Sequence, residues 1–171
     1  DTRREAAEAL LDKVGQGEAF DGFDAIADAC DAVVIATPAV THAQLARRAL
    51  AAGLHVLVEK PLALDGGVAR ELAAQALDND LVLQVGHQER LVFAAMGLMS
   101  TPERPTRIEA VRVGPRSVQG RCEDVSVVFD LMIHDLDLAA ELFGGEAGAA
   151  TAYGRSVHTP FLDEAVAELV F

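Results

Sequence analysis

The chain has 171 residues, is 51% hydrophobic and carries a formal net charge of −13, which is enough for one medium domain with a core or for two small ones. That charge, with no clustered Lys and Arg, argues against a nucleic-acid backbone or an anionic membrane as partner, although one local cluster would suffice for a phosphorylated small molecule. No apolar stretch approaches a membrane span, and Gly and Pro are scattered, so nothing reads as disordered or low-complexity.

Taken in order, Ala and Leu recur at helical spacing from Arg3 to Lys13, with Thr2 as the expected cap. Asp31 to Thr37 reads as a strand whose core, Ala32 to Ala36, has no alternation, as expected of a parallel strand buried on both faces. Thr41 to Ala52 is predicted as a helix ended by Gly53, and His55 to Val58 as the next strand. Asp65 is placed as the cap of a third helix reaching about Leu77, and Leu81 to Val85 as a further strand ending at Gly86. Strands alternating with helices over short connections imply a right-handed parallel sheet covered by helices.

Beyond Gly86 the pattern changes. Arg107 to Val113 alternates as an antiparallel strand would, a long helix is expected from about Val125 to Phe143 with a stop at Gly144-Gly145, and Ala149 to Val157 and Ala165 to Phe171 read as strands. The domain boundary is placed there, giving domains 1–86 and 87–171. Both ends read as cut, which suggests a piece of a longer enzyme. Cys30 and Cys122 lie far apart in ordinary contexts and fit reduced thiols in a cytoplasmic protein.

Three segments could carry chemistry. Glu59-Lys60-Pro61 closes the second strand and sets an amine at the carboxyl end of the sheet, where ligands bind in open α/β folds; a solvated lysine beside a strand-ending proline is the plain alternative. Thr37-Pro38-Ala39-Val40-Thr41-His42 joins a strand to a helix start, which suits an anion or nucleotide, while spacing alone favours a turn with Thr41 as cap and His42 on the first exposed helical turn. Asp130, His134, Asp137 and Glu141 form one narrow polar stripe on an otherwise apolar helix, so a cleft-lining face competes with a solvated one. An Asp one turn from a His can set its tautomer, and imidazole suits proton transfer near neutral pH.

Other readings are weaker. Asp130, His134 and Asp137 could ligate a metal, but there is no His-x-x-x-His pair and no Cys cluster, so none is expected. No Gly-x-Ser-x-Gly occurs, and Gly15-Gln16-Gly17 follows a helix and lacks a third glycine, so it is no dinucleotide fingerprint. His87 and Arg90, just after the last strand of the first domain, are either ligand contacts or a hinge with surface charges.

Ala36-Thr37-Pro38 with His42, Glu59-Lys60-Pro61 and Asp130-x-x-x-His134-x-x-Asp137 together resemble the Gfo/Idh/MocA family of oxidoreductases, and the likeness spans the chain. The resemblance implies an α/β fold: a partial Rossmann-like parallel sheet followed by an α+β domain with a mostly antiparallel sheet that forms the substrate floor and a homo-oligomer interface. It implies NAD or NADP as cofactor, contacted by Asp1, Ala36, Thr37, Pro38, His42, Glu59, Lys60 and Pro61, with NAD slightly favoured if Asp1 is the acidic residue that binds the ribose hydroxyls. It implies catalytic Lys60, Asp130 and His134, and a sugar, nucleotide-sugar or cyclitol substrate met by His87, Arg90 and Asp137. The chain departs from the family in length and in lacking the first strand and Gly-rich loop, which leaves open a binding protein of the same fold without activity.

Overall fold

The structure, a computed structural model, describes residues 3–100, 103–114 and 125–171, and the chain divides into two units, one ending at Gln84 and the other beginning at Val85. In the first unit, α1 (Arg4–Val14) forms on the expected Ala and Leu spacing and ends at Gly15, whose N–H donates to the Leu11 carbonyl. Arg3 occupies the cap position, and Thr2 lies outside the described residues. A short helix that sequence periodicity does not reveal, α2 (Phe23–Ala27), is fastened to the next helix by Arg48, which stacks over Phe23 and pairs with Asp24 at 2.6 Å.

Strands β1 (Ala32–Ile35), β2 (His55–Glu59) and β3 (Leu83–Gly86) form one sheet in that order, with β1 and β2 parallel and Ile35 opposite Val58. The connections are α3 (Ala39–Ala51) and α4 (Gly66–Asp78), and the Asp65 carboxylate caps α4 as expected, accepting from the Val68 N–H at 3.0 Å. Ala46, Ala49 and Leu50 of α3 are buried where that helix meets Val56 and Val58 of β2, and Leu72 and Ala76 of α4 complete the core. Small residues on α3 let helix and strand approach closely, while each buried Leu contributes about 1.5–3 kcal/mol.

The expectation of strands buried on both faces is corrected. Burial alternates along β1 and β2: Ile35 and Val58 are buried, whereas Val34 is 70% and Leu57 40% exposed. α3 packs on β1 and β2 and α4 packs against α3, while the opposite face of the sheet keeps its apolar side chains uncovered.

The second unit holds α5 (Gln88–Ala95), a 3₁₀ turn at Leu98–Ser100, a π-helical turn at Val128–Met132 that runs into α6 (Ile133–Phe143), and an antiparallel pair of β4 (Ala149–Arg155) and β5 (Glu164–Val170). Two expectations change here. Arg107 to Val113 is not a strand, since alternation alone does not supply a pairing partner, and Arg112 is held instead by ion pairs to Asp135 and Glu89. The single long helix becomes a π turn followed by an α-helix, and the wider turn around Asp130 breaks the even stripe, which keeps α-helical spacing only from His134 onward. The stop at Gly144 stands: its φ is +78°, and a Cβ there would meet the Arg104 guanidinium at 2.9 Å, the group that donates to the Phe143 carbonyl.

Candidate functional site

Two loci in separate units hold the residues singled out in the sequence. In the first unit, the chain leaves β1 at Ile35 and β2 at Glu59, so Ala36-Thr37-Pro38 and Lys60-Pro61 both stand at the carboxyl end of the parallel pair. Ala36, Thr37 and Pro38 are exposed, Glu59 and Lys60 half-buried, and Pro61 buried. α3 begins directly at Ala39, two residues before the predicted start. Thr41 is therefore not a cap: its hydroxyl donates back to the Pro38 carbonyl at 2.7 Å and meets the Thr37 hydroxyl at 2.7 Å.

His42 departs most from expectation. It is not on an exposed turn but 1% exposed, with Nδ1 2.8 Å from the Pro61 carbonyl and Nε2 2.7 Å from the Thr37 carbonyl. Helical spacing explains this, because His42, Ala46, Ala49 and Leu50 stand at i, i+4, i+7 and i+8 on one face of α3, and that is the face the helix buries.

In the second unit, α5 and α6 are joined by charge. The Arg90 guanidinium grips Asp137 through two parallel bonds, Nε to one oxygen at 2.7 Å and an NH2 group to the other at 2.6 Å, and reaches Glu141 at 2.8 Å. These bonds to Asp137, against the opposing effect of burial, hold Arg90 above its already high ordinary value. His87, at the cap position of α5, brings Nδ1 to 3.6 Å from the same Asp137 carboxylate. The three substrate-side candidates His87, Arg90 and Asp137 are thus one cluster, in which Asp137, with a side chain 10% exposed, is the shared anion.

Asp130 lies in the π turn and His134 in the first turn of α6, both half-buried. Asp1 falls outside the described residues. Sequence reasoning missed the second bridge between these elements, Arg112 to Glu89 and Asp135; the partners are 23 residues apart in each case and carry no local signal. Among the described residues, no group of three or more His, Cys, Asp or Glu is arranged to hold a metal ion, and no helix is long and apolar enough to cross a membrane.

Comparison with known proteins shows the family and the fold. Residues 1–87 match the Gfo/Idh/MocA family, an oxidoreductase family with an NAD-binding Rossmann fold. The UDP-N-acetylglucosamine 3-dehydrogenase of Acidithiobacillus ferrooxidans is 40% identical over 150 residues, covering 87% of this chain and 47% of that protein. A solved structure of the enzyme of that name, GnnA, from the same organism aligns with a TM-score of 0.87 at 36% identity, covering 99% of this chain and 55% of the other. GenD2 from gentamicin A biosynthesis, solved in complex with NAD, aligns with a TM-score of 0.78 at 31% identity over 99% of this chain and 53% of its own. The chain spans about half the length of the curated relatives it matches. The family match over residues 1–87 and the 40% identity to a relative over 87% of this chain place it in the Gfo/Idh/MocA family of oxidoreductases.

Proposed function

We propose that this chain carries the cofactor-side and substrate-side residues of an NAD(P)-dependent dehydrogenase that oxidises a hydroxyl-bearing carbon of a nucleotide-linked amino sugar, the 3-hydroxyl being the expected position. The observation that carries the reading is the placement of Glu59-Lys60-Pro61 beside Thr37-Pro38 at the carboxyl edge of β1 and β2, in a chain of this family. The choice among sugar, nucleotide sugar and cyclitol rests on likeness to the UDP-N-acetylglucosamine 3-dehydrogenase.

The residues present suit a dinucleotide. Ala36, Thr37 and Pro38 are exposed at the sheet edge, and α3 starts behind them with the N–H groups that every helix leaves without intrahelical partners. These residues with Glu59 and Pro61 would line the cofactor, and Asp1 would accept from the ribose hydroxyls if NAD is the form used. When bound, the nicotinamide supplies the hydride acceptor.

The protein's share of the reaction is proton transfer and charge stabilisation. His134 takes the proton of the substrate hydroxyl as the carbon–hydrogen pair departs as hydride and the carbonyl forms. Lys60 binds the same oxygen, and its ammonium stabilises developing alkoxide charge more than the neutral hydroxyl. Asp130, in the π turn that runs into α6, orients the His134 side chain. His87, Arg90 and Asp137 form the substrate-side wall, with Arg90 and Asp137 held by each other. Tyr153, Val166 and Val170, exposed on the β4–β5 pair, support assembly of the whole protein into a homo-oligomer.

Isothermal titration of the full-length protein with a UDP-linked amino sugar, against free glucose and inositol, tests the substrate. Preferential heat with the nucleotide sugar is expected. Equal or absent preference would remove that substrate class.

A further inference from the structure

His42 is a titratable side chain, sealed from solvent, that the reaction above does not use. Its two ring nitrogens meet two backbone carbonyls, Thr37 and Pro61, at 2.7 and 2.8 Å. Each acceptor lies two residues past the end of a strand, Thr37 beyond Ile35 and Pro61 beyond Glu59, so the imidazole spans equivalent points on two neighbouring loops. Pro38 and Pro61 have no N–H, which thins the supply of backbone donors in both loops, and a carbonyl facing the interior needs a donor from somewhere. The ring supplies one from a side chain that α3 holds rigidly, between buried Ala46 and the first helical turn.

We propose that His42 is a positioning residue: wedged between the carbonyls of Thr37 and Pro61 and donating an N–H to at least one of them, it fixes where Lys60 stands relative to the loop that follows β1. Because both ring nitrogens are engaged inside the protein and the side chain is 1% exposed, it acts through these loops and not by contact with substrate or cofactor. Lys60 is covalently next to Pro61, so a shift of the Pro61 carbonyl moves the amine directly. The inference rests on the dehydrogenase reading only for its consequence in turnover; the positional claim stands on geometry.

The sequence makes the test clean, since Lys13 and Lys60 are the two lysines of this chain. Lys13, exposed in the last turn of α1, is an internal reference. In the full-length protein, His42→Phe keeps a ring but no donor, and His42→Gln keeps a donor. Labelling with an amine-reactive reagent, read by mass spectrometry of the two peptides, is expected to change the Lys60 to Lys13 ratio by at least about threefold in His42→Phe, with His42→Gln returning most of the way. With cofactor and nucleotide sugar, His42→Phe should lower kcat by about tenfold to a hundredfold while KM for the sugar stays within about threefold. A folded His42→Phe with unchanged labelling and turnover would overturn the proposal, as would failure of both variants to fold, which would make His42 a purely structural residue. If the wild-type protein turns over no sugar yet the labelling ratio responds, the dehydrogenase reading falls and the positioning role stands; turnover without a labelling response does the reverse.

Discussion

Asp137 keeps a charge almost out of solvent because Arg90 offers it two N–H groups in the fork geometry a carboxylate matches, with His87 nearby. Removing the guanidinium leaves that anion without its main donors, a loss of about 1.5–3 kcal/mol for bonds to a charged group, and nearer the low end because Arg90 is itself 42% exposed. Arg90→Met should therefore lower unfolding stability by on the order of 1–2 kcal/mol in a denaturant titration, and adding Asp137→Leu should restore part of it. An Arg90→Met protein of unchanged stability would show that the pair contributes nothing. The sequence marks Arg90 and Asp137 separately as substrate-side candidates, but their mutual engagement depends on α5, which the residues after Gly86 do not announce. His42 is the counterexample in the other direction. Its surroundings are set by which face of α3 packs inward: His42 shares that face with Ala46 and Ala49, four and seven residues on, so an expected surface residue is a buried link.

At the level of elements, punctuation was legible and partnership was not. Asp65, Gly53 and Gly144 mark helix ends because capping and left-handed backbone act within a few residues. The face of the sheet left open and the non-strand path of Arg107 to Val113 depend on what packs against them, which no local pattern encodes. The π turn at Val128–Met132 is likewise silent in the sequence, though it decides how Asp130 is turned relative to His134. The β4–β5 pair carries its own lock: Asp163 accepts the N–H groups of Val157, His158 and Thr159 at 2.6–3.1 Å, and these bonds, His158 foremost, hold its carboxyl well below the usual range. A carboxyl depressed in the folded state adds stability above the unfolded pKa of about 4, and that stability is lost as pH falls toward the folded value. Asp163→Asn should thus narrow the difference in denaturation midpoint between pH 7 and about pH 3. An identical pH dependence in variant and wild type would remove the carboxylate from the account.

Across the whole molecule, each of the two units contributes one part of the proposed chemistry, the first an amine at a sheet edge and the second a histidine on a mostly apolar helix. Neither part alone distinguishes an enzyme from a binding protein of the same fold, because a lysine and a histidine each have ordinary structural uses. The proposal rests on their joint presence, since a protein that only binds a sugar has no need of a base. The match to relatives covers about half of their length, so the proposed reaction is one for the full-length protein. The most direct test follows the reduced nicotinamide formed when the full-length protein meets NAD or NADP and a UDP-linked amino sugar, in the wild type and in Lys60→Ala and His134→Ala. Turnover in the wild type and a fall of at least ~100-fold in each variant, with cofactor binding largely retained, is the predicted result. No reduction by the wild type, or near-normal turnover in either variant, would contradict it.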